Sequence, residues 1–167
     1  SFIVADTPGH EEYTRNMAVG ASFASLAVIL VDASQGVLVQ TRRHARICSL
    51  MGIKHFVFAV NKMDLVHYDQ LKFKKIEKDI KILMAEFDYG TLRIIPVSAT
   101  EGDNITTKSK KMPWYAKETL LAFLEEVNVN EKDDWKGFSM PVQRVCRPYH
   151  NFRGFQGQIS SGEAAVG

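Results

Sequence analysis

Apolar residues gather along the chain in two rhythms. Three nearly continuous runs, 26–31, 56–60 and 92–97, are rich in β-branched residues, and a shorter fourth covers 2–5. Runs of that kind suit parallel strands covered on both faces. Between them the spacing lengthens to that of a helix. Ile47, Leu50 and Met51 recur at helical intervals. Phe73, Ile76, Ile80, Leu83, Met84 and Phe87 form a stripe that is continuous only at 3.6 residues per turn, and Leu120, Leu121, Leu124 and Val127 repeat the pattern. The Met and aromatic positions in these stripes read as core. Strands alternating with helices predict an open, doubly wound α/β fold with a parallel sheet and right-handed crossovers. Ligands on such sheets bind beyond the C-terminal ends of the strands, so the chemistry is expected where each strand stops.

The rhythm changes near residue 128. Residues 128–137 are polar and charged and end in a glycine, which suits a linker. Two β-type stretches follow, 140–147 and 152–160, separated by Pro148, with Gly154, Gly157 and Gly162 interspersed. They resemble the opening strands of a small β-barrel too short to close. The expected organisation is therefore an α/β domain over 1–127, a linker over 128–137 and the beginning of a β-barrel domain over 138–167.

Three strand ends carry polar residues of a consistent kind. The first runs into Asp6-Thr7-Pro8-Gly9-His10. A carboxylate there can hold Mg²⁺ through water, because Mg²⁺ keeps part of its hydration shell. A glycine lets backbone approach a terminal phosphate, and the next polar side chain can orient an attacking water. The run 56–60 leads into Asn61-Lys62-Met63-Asp64. A carboxylate at Asp64 can accept from both the imino and exocyclic amino hydrogens of guanine, a donor pair that adenine lacks. Such a site rejects the wrong base by about four orders of magnitude, since its carboxylate would be left unpaired. Lys62 can lay its aliphatic stem along a base, and Asn61 can brace neighbouring loops. The run 92–97 ends in Ser98-Ala99-Thr100, whose small side chains would let backbone N–H groups reach a base carbonyl. Each motif alone is weak. Three in the required order, with helices between them, define a guanine-nucleotide domain.

Composition adds exclusions. Twenty-one basic and nineteen acidic residues give a net charge of +2, and like charges do not run together. Neither a nucleic acid nor a membrane is expected as partner. Cys48 and Cys146 have no metal-binding or redox spacing and read as reduced thiols of a cytoplasmic protein. His44, His55 and His67 lack ligand spacing as well.

At these residues the chain resembles the translational GTPases, in which DTPGH, NKMD and the Ser-Ala turn are the last three guanine-nucleotide motifs. The resemblance spans essentially the whole chain and implies a P-loop NTPase-type fold binding GTP or GDP with Mg²⁺. By it, Asp6 serves the metal and, with Thr7, Pro8 and Gly9, the terminal phosphate, while His10 positions the hydrolytic water as the catalytic residue. Asn61, Lys62, Met63 and Asp64 would form the guanine-reading motif, with Ser98, Ala99 and Thr100 assisting, and residues 11–21 the helix that senses nucleotide state.

Residues 102–104 (GDN) and 112–115 (MPWY) look like the elongation-factor-1-alpha branch. Within it, 10–17 (HEEYTRNM), 40–44 (QTRRH) and 152–157 (FRGFQG) are more similar to the large subunits of bacterial sulfate adenylyltransferases. That likeness implies GTP hydrolysis coupled to formation of adenosine 5′-phosphosulfate and pyrophosphate from ATP and sulfate, a step of sulfate assimilation toward cysteine. The adenylyl transfer would reside in a smaller partner subunit. The alternative is an elongation-factor-type GTPase that delivers aminoacyl-tRNA.

The pattern departs from the family in one respect. GxxxxGK(S/T) occurs nowhere in the 167 residues. Both ends read as cuts, with the phosphate loop expected upstream of Ser1. Since that loop supplies most phosphate contacts, these 167 residues alone are expected to bind GTP weakly and to lack hydrolytic activity.

Overall fold

Strand His55–Asn61 (β2) runs parallel between Leu26–Asp32 (β1) and Thr91–Pro96 (β3) in a computed structural model that describes residues 2–7, 14–129 and 137–165. Leu26 pairs with His55 and Asp32 with Asn61; His55 pairs with Thr91 and Val60 with Pro96. All three strands therefore end at the same side of the sheet. The chain divides into two compact units, 1–129 and 130–167.

The helices of the first unit are α1 (Thr14–Ala21), α2 (Val39–Leu50), α3 (Gln70–Met84) and α4 (Leu120–Glu126). Helix α2 packs against β1 and α1, and α3 against β2. The side chain of Asp69 caps α3 by accepting from Leu71 N–H at 2.7 Å, and Thr119 caps α4 by accepting from Ala122 N–H at 3.3 Å. The core gathers Phe56, Val57, Phe58, Ala59 and Val60 of β2 with Phe73, Ile76, Ile80, Leu83 and Met84 of α3, all buried as the apolar patterns predict.

Four expectations need correction. Residues 2–5 form no strand: Phe2, Ile3 and Val4 are exposed, and an extended run without a pairing partner makes no ladder. β1 is covered on one face only. Ala27, Ile29 and Val31 are buried while Val28 and Leu30 face solvent, as suits the edge position. In α2 the buried stripe is Thr41, Ala45 and Cys48, whereas Leu50 and Met51 are exposed at its end. In α4 the buried residue is Phe123, with Leu120, Leu124 and Val127 half-buried around it. Burial pushes the Cys48 thiol up to about 11, so it behaves as a small apolar group.

The second unit contains a two-stranded antiparallel ladder, β4 (Arg144–Cys146) with β5 (Gly154–Gln156). Both are shorter than the stretches 140–147 and 152–160 suggested. Val145 and Phe155, which pair across the ladder, are both exposed, so little packing extends it. No barrel forms among the described residues, and most of the expected linker, 130–136, lies outside them. No helix among the described residues is long and apolar enough to cross a membrane.

Candidate functional site

Parallel register brings Asp32, Asn61 and Val97 side by side at the C-terminal ends of the strands, and the segments leaving them interlock. Ala33 N–H donates to Asn61 O at 2.8 Å, and Met63 N–H donates to Val97 O at 3.2 Å. Asn61 Oδ1 accepts from Lys62 N–H at 2.7 Å and from Ala99 N–H at 3.0 Å, so one side chain joins the segment after β2 to the segment after β3. The Ala99 amide, expected to reach toward a base carbonyl, is committed here to Asn61.

A short side-chain contact joins Ser98 to Asp64. Ser98, fully buried, donates its hydroxyl to Asp64 Oδ1 at 2.6 Å. The same Oγ lies 3.2 Å from Thr100 Oγ1 and accepts from Glu101 N–H at 3.4 Å. Asp64 is half-buried and sits in the 3₁₀ turn Met63–Val66, whose Met63 is fully buried. With Oδ1 held by Ser98, Oδ2 accepts no hydrogen bond among the described residues. An aimed carboxylate with one open oxygen suits a ligand presenting adjacent N–H donors.

Lys62 has φ of 63°, and His67 and Tyr68, just after the turn, have φ of 53° and 55°. This left-handed backbone swings Lys62 back across the strand ends, where its Nζ donates to Asp32 Oδ2 at 2.7 Å. Asp32 Oδ1 accepts from Ser34 N–H at 2.8 Å and from the Ser34 hydroxyl at 2.5 Å. The Lys62 ammonium, helped by Ser34, holds the Asp32 carboxyl down at about 2. Asp32 is the member of this strand-end cluster that sequence reading passed over. It follows the run 26–31, and the rule that polar chemistry follows a strand end would have found it.

Because the folded pKa of Asp32 lies below its ordinary 3.8, its stabilisation is complete above that value and fades as pH falls through about 2. Lys62 is half-exposed, so solvent screens the pair. Asp32→Asn is expected to cost about 0.5–1 kcal/mol near pH 7. Urea unfolding of both proteins between pH 7 and pH 2 checks this, with the two curves converging at the acid end. A difference that persists at pH 2 would locate the effect elsewhere.

Further out, Lys111 Nζ donates to Glu101 Oε2 at 2.9 Å and to Tyr68 Oη at 3.0 Å, with Asp103 Oδ2 at 3.8 Å. These partners, Glu101 first, hold the Lys111 ammonium above the ordinary lysine range. Asn104, fully buried with φ of 57°, donates from Nδ2 to Pro96 O at 2.9 Å and accepts at Oδ1 from Ser109 N–H at 2.8 Å. Trp114 Nε1 donates to Tyr68 O at 3.2 Å, and the rings of Trp114 and Tyr115 both pack against Phe73 of α3, Tyr115 edge-on.

The predicted site residues thus fall into two groups. Asn61, Lys62, Met63, Asp64, Ser98, Ala99 and Thr100 converge. Asp6 is exposed, and Thr7 lies with its methyl against α1, where a Cβ on Gly20 would meet Thr7 Cγ2 at 2.8 Å. No hydrogen bond among the described residues links Asp6 or Thr7 to the Asp64 group. Pro8, Gly9 and His10 lie outside the described residues, as does the start of the expected helix over 11–21, of which Thr14–Ala21 is helical. No cluster of three His, Cys, Asp or Glu among the described residues could hold a metal ion.

Residues 1–130 match the elongation factor Tu GTP binding domain. Over 166 residues, 99% of the chain, the sequence is 52% identical to sulfate adenylyltransferase subunit 1 of Saccharophagus degradans, covering 35% of that protein. It is also 52% identical over 99% of the chain to the bifunctional enzyme NodQ of Rhizobium meliloti, covering 26%. The chain therefore spans about a third or less of the length of the curated relatives it matches. Among solved structures, sup35 complexed with GDP aligns with 87% of this chain and 39% of its own at a TM-score of 0.60 and 28% identity. Sup35 complexed with GMPPNP aligns with 83% and 37% at 0.59 and 27%.

Proposed function

The chain belongs to the elongation factor Tu GTP binding domain family, and from that premise we propose that it serves as the guanine-nucleotide part of a cytoplasmic sulfate adenylyltransferase GTPase subunit. In this reading GTP hydrolysis is coupled to formation of adenosine 5′-phosphosulfate and pyrophosphate from ATP and sulfate, on a smaller adenylyltransferase subunit. The observation that carries the nucleotide reading is the Ser98–Asp64 contact at 2.6 Å, which aims a half-buried carboxylate while leaving one oxygen open. The sulfate-activating reading rests on the 52% identity to subunit 1 relatives.

The residues fit the ligand as follows. Asp64 Oδ2 takes the adjacent imino and amino hydrogens of guanine. The Lys62 stem, anchored at its tip by Asp32, would offer the base an apolar surface to rest on. Asn61 keeps the two reading segments at a fixed separation. A bound nucleotide supplies the hydrolysable terminal phosphate. Mg²⁺ is usually taken by one or two carboxylates together with phosphate oxygens and water, so a lone exposed Asp6 is an adequate protein contribution. Gly9 N–H would bind the terminal phosphate, and His10 would position the attacking water. Thr7 and Pro8 would complete the motif on the phosphate side.

The test is pyrophosphate release from ATP and sulfate by the full-length chain with its partner subunit, with and without GTP. Strong stimulation by GTP, abolished by His10→Ala, is the expected result. GTP turnover indifferent to ATP and sulfate but stimulated by ribosomes would replace this reading with that of a translation factor delivering aminoacyl-tRNA, the alternative in keeping with the match to the elongation factor Tu GTP binding domain.

A further inference from the structure

Two segments read the base in the reading above, 61–68 and 98–104, and they touch each other in two places. The inner place is the set of bonds from Ser98 to Asp64, Ala99 to Asn61 and Met63 to Val97. The outer place is a single side chain from elsewhere, Lys111, which bonds Tyr68 on one segment and Glu101 on the other. Its ammonium also stands 5.0 Å from the centre of the Tyr68 ring, close enough for a cation–π contact. These contacts close a loop. Asp64 is held by Ser98 Oγ, Ser98 Oγ accepts from Glu101 N–H, and the Glu101 carboxylate is held by Lys111. Lys111 also holds the Tyr68 hydroxyl, and Tyr68 N–H returns to Met63 O at 2.8 Å, beside Asp64. Lys111 itself is braced locally, its backbone N–H donating to Ser109 Oγ at 3.0 Å.

We infer that Lys111 is a positioning residue for base selection, acting through Glu101–Ser98 and Tyr68–Met63 to keep the Asp64 carboxylate aimed. The inference rests on the guanine-reading assignment of Asp64. Releasing Glu101 leaves Ser98 with one anchor fewer, and the carboxylate it holds gains freedom. A ligand that needs both hydrogen bonds to Asp64 loses more by this than a ligand that needs one. GDP needs both, whereas IDP lacks the 2-amino group and needs one.

The experiment measures dissociation constants of GDP, IDP and XDP for the full-length chain with its partner subunit, alongside thermal unfolding. Lys111→Met is expected to weaken GDP about tenfold while IDP changes little, so the preference for guanine falls by a similar factor. Lys111→Arg, which keeps the charge and the reach, is expected to restore most of that preference. Equal weakening of both nucleotides, or lower thermal stability with an unchanged preference, would reduce Lys111 to a structural brace and overturn the inference. Should Lys111→Met fail to fold, Tyr68→Phe removes only the hydroxyl contact and is expected to lower the preference about threefold; an unchanged preference there overturns it equally. Asp64→Asn in the same assay separates the two layers. If it does not turn preference toward XDP, the reading of Asp64 fails. If it does and Lys111→Met leaves preference intact, the positioning role alone fails.

Discussion

Asp64→Asn in the full-length chain is expected to weaken GTP and GDP binding about a thousandfold and to raise affinity for xanthosine nucleotides at the same time. The carboxylate accepts two hydrogen bonds, and an amide in its place presents N–H where guanine presents its own amino group. Two donors then face each other in a half-buried setting, the costly arrangement of an unsatisfied pair. Xanthine carries a carbonyl at that position and accepts from the new amide. Ser98 can still donate to the amide oxygen from its present 2.6 Å, so the substitution changes recognition with little change in packing. Competition between guanosine and xanthosine diphosphates at equilibrium measures both effects. GDP affinity within threefold of the parent protein would remove Asp64 from the base site.

The second large effect concerns stability. Asn104→Ala is expected to cost about 3 kcal/mol, read from urea unfolding. It strips the Nδ2 donor from Pro96 O and the Oδ1 acceptor from Ser109 N–H. Each buried group left unpaired costs about 1–3 kcal/mol. Alanine must also hold the left-handed backbone that asparagine tolerates, here at φ of 57°. Asn104→Gly shares the first loss and escapes the second, so it should unfold about 1 kcal/mol later than the alanine variant. Equal losses would mean the backbone conformation carries no penalty, and a loss below 1 kcal/mol in either would mean solvent replaces the side chain freely. Because Asn104 also accepts Leu120 N–H at its carbonyl, it ties the segment after β3 to the start of α4.

How much of this could be read beforehand differs by element. β2 and the stripe of α3 were legible because both are buried along their length, so every residue obeys one rule. β1 obeyed half of it: an edge strand with one wet face looks, in composition, like a covered one, since Val28 and Leu30 are apolar but exposed. Residues 2–5 have strand composition, but composition cannot report whether a partner is present to complete the ladder. In α2 the inward positions are Thr41, Ala45 and Cys48, small or polar, and the eye follows the larger Leu50 and Met51 that end the helix in solvent.

In the site, local motifs were legible and distant links were not. Asn61, Lys62 and Asp64 lie within four residues, and Ser98 follows the next strand. Nothing in sequence spacing brings Lys62 to Asp32, thirty positions away, or Lys111 to Tyr68, forty-three away. Those contacts arise from the parallel register and from the path of the segment 101–111, both properties of the folded chain.

Lys62, His67, Tyr68 and Asn104 are the four non-glycine residues with a left-handed backbone among the described residues, and all lie in the segments that would read the base. Each holds a conformation that glycine adopts at no steric cost, and for other residues the strain is of order 1 kcal/mol. At Asn104 glycine would lose more in the two buried hydrogen bonds than it gained in relief, but at Lys62, His67 and Tyr68 an engineering campaign that selected only for heat resistance would drift toward it. The gain would be drawn from Lys62's grip on Asp32 and Tyr68's on Lys111, and a hardier protein would emerge with a duller sense of which nucleotide it holds.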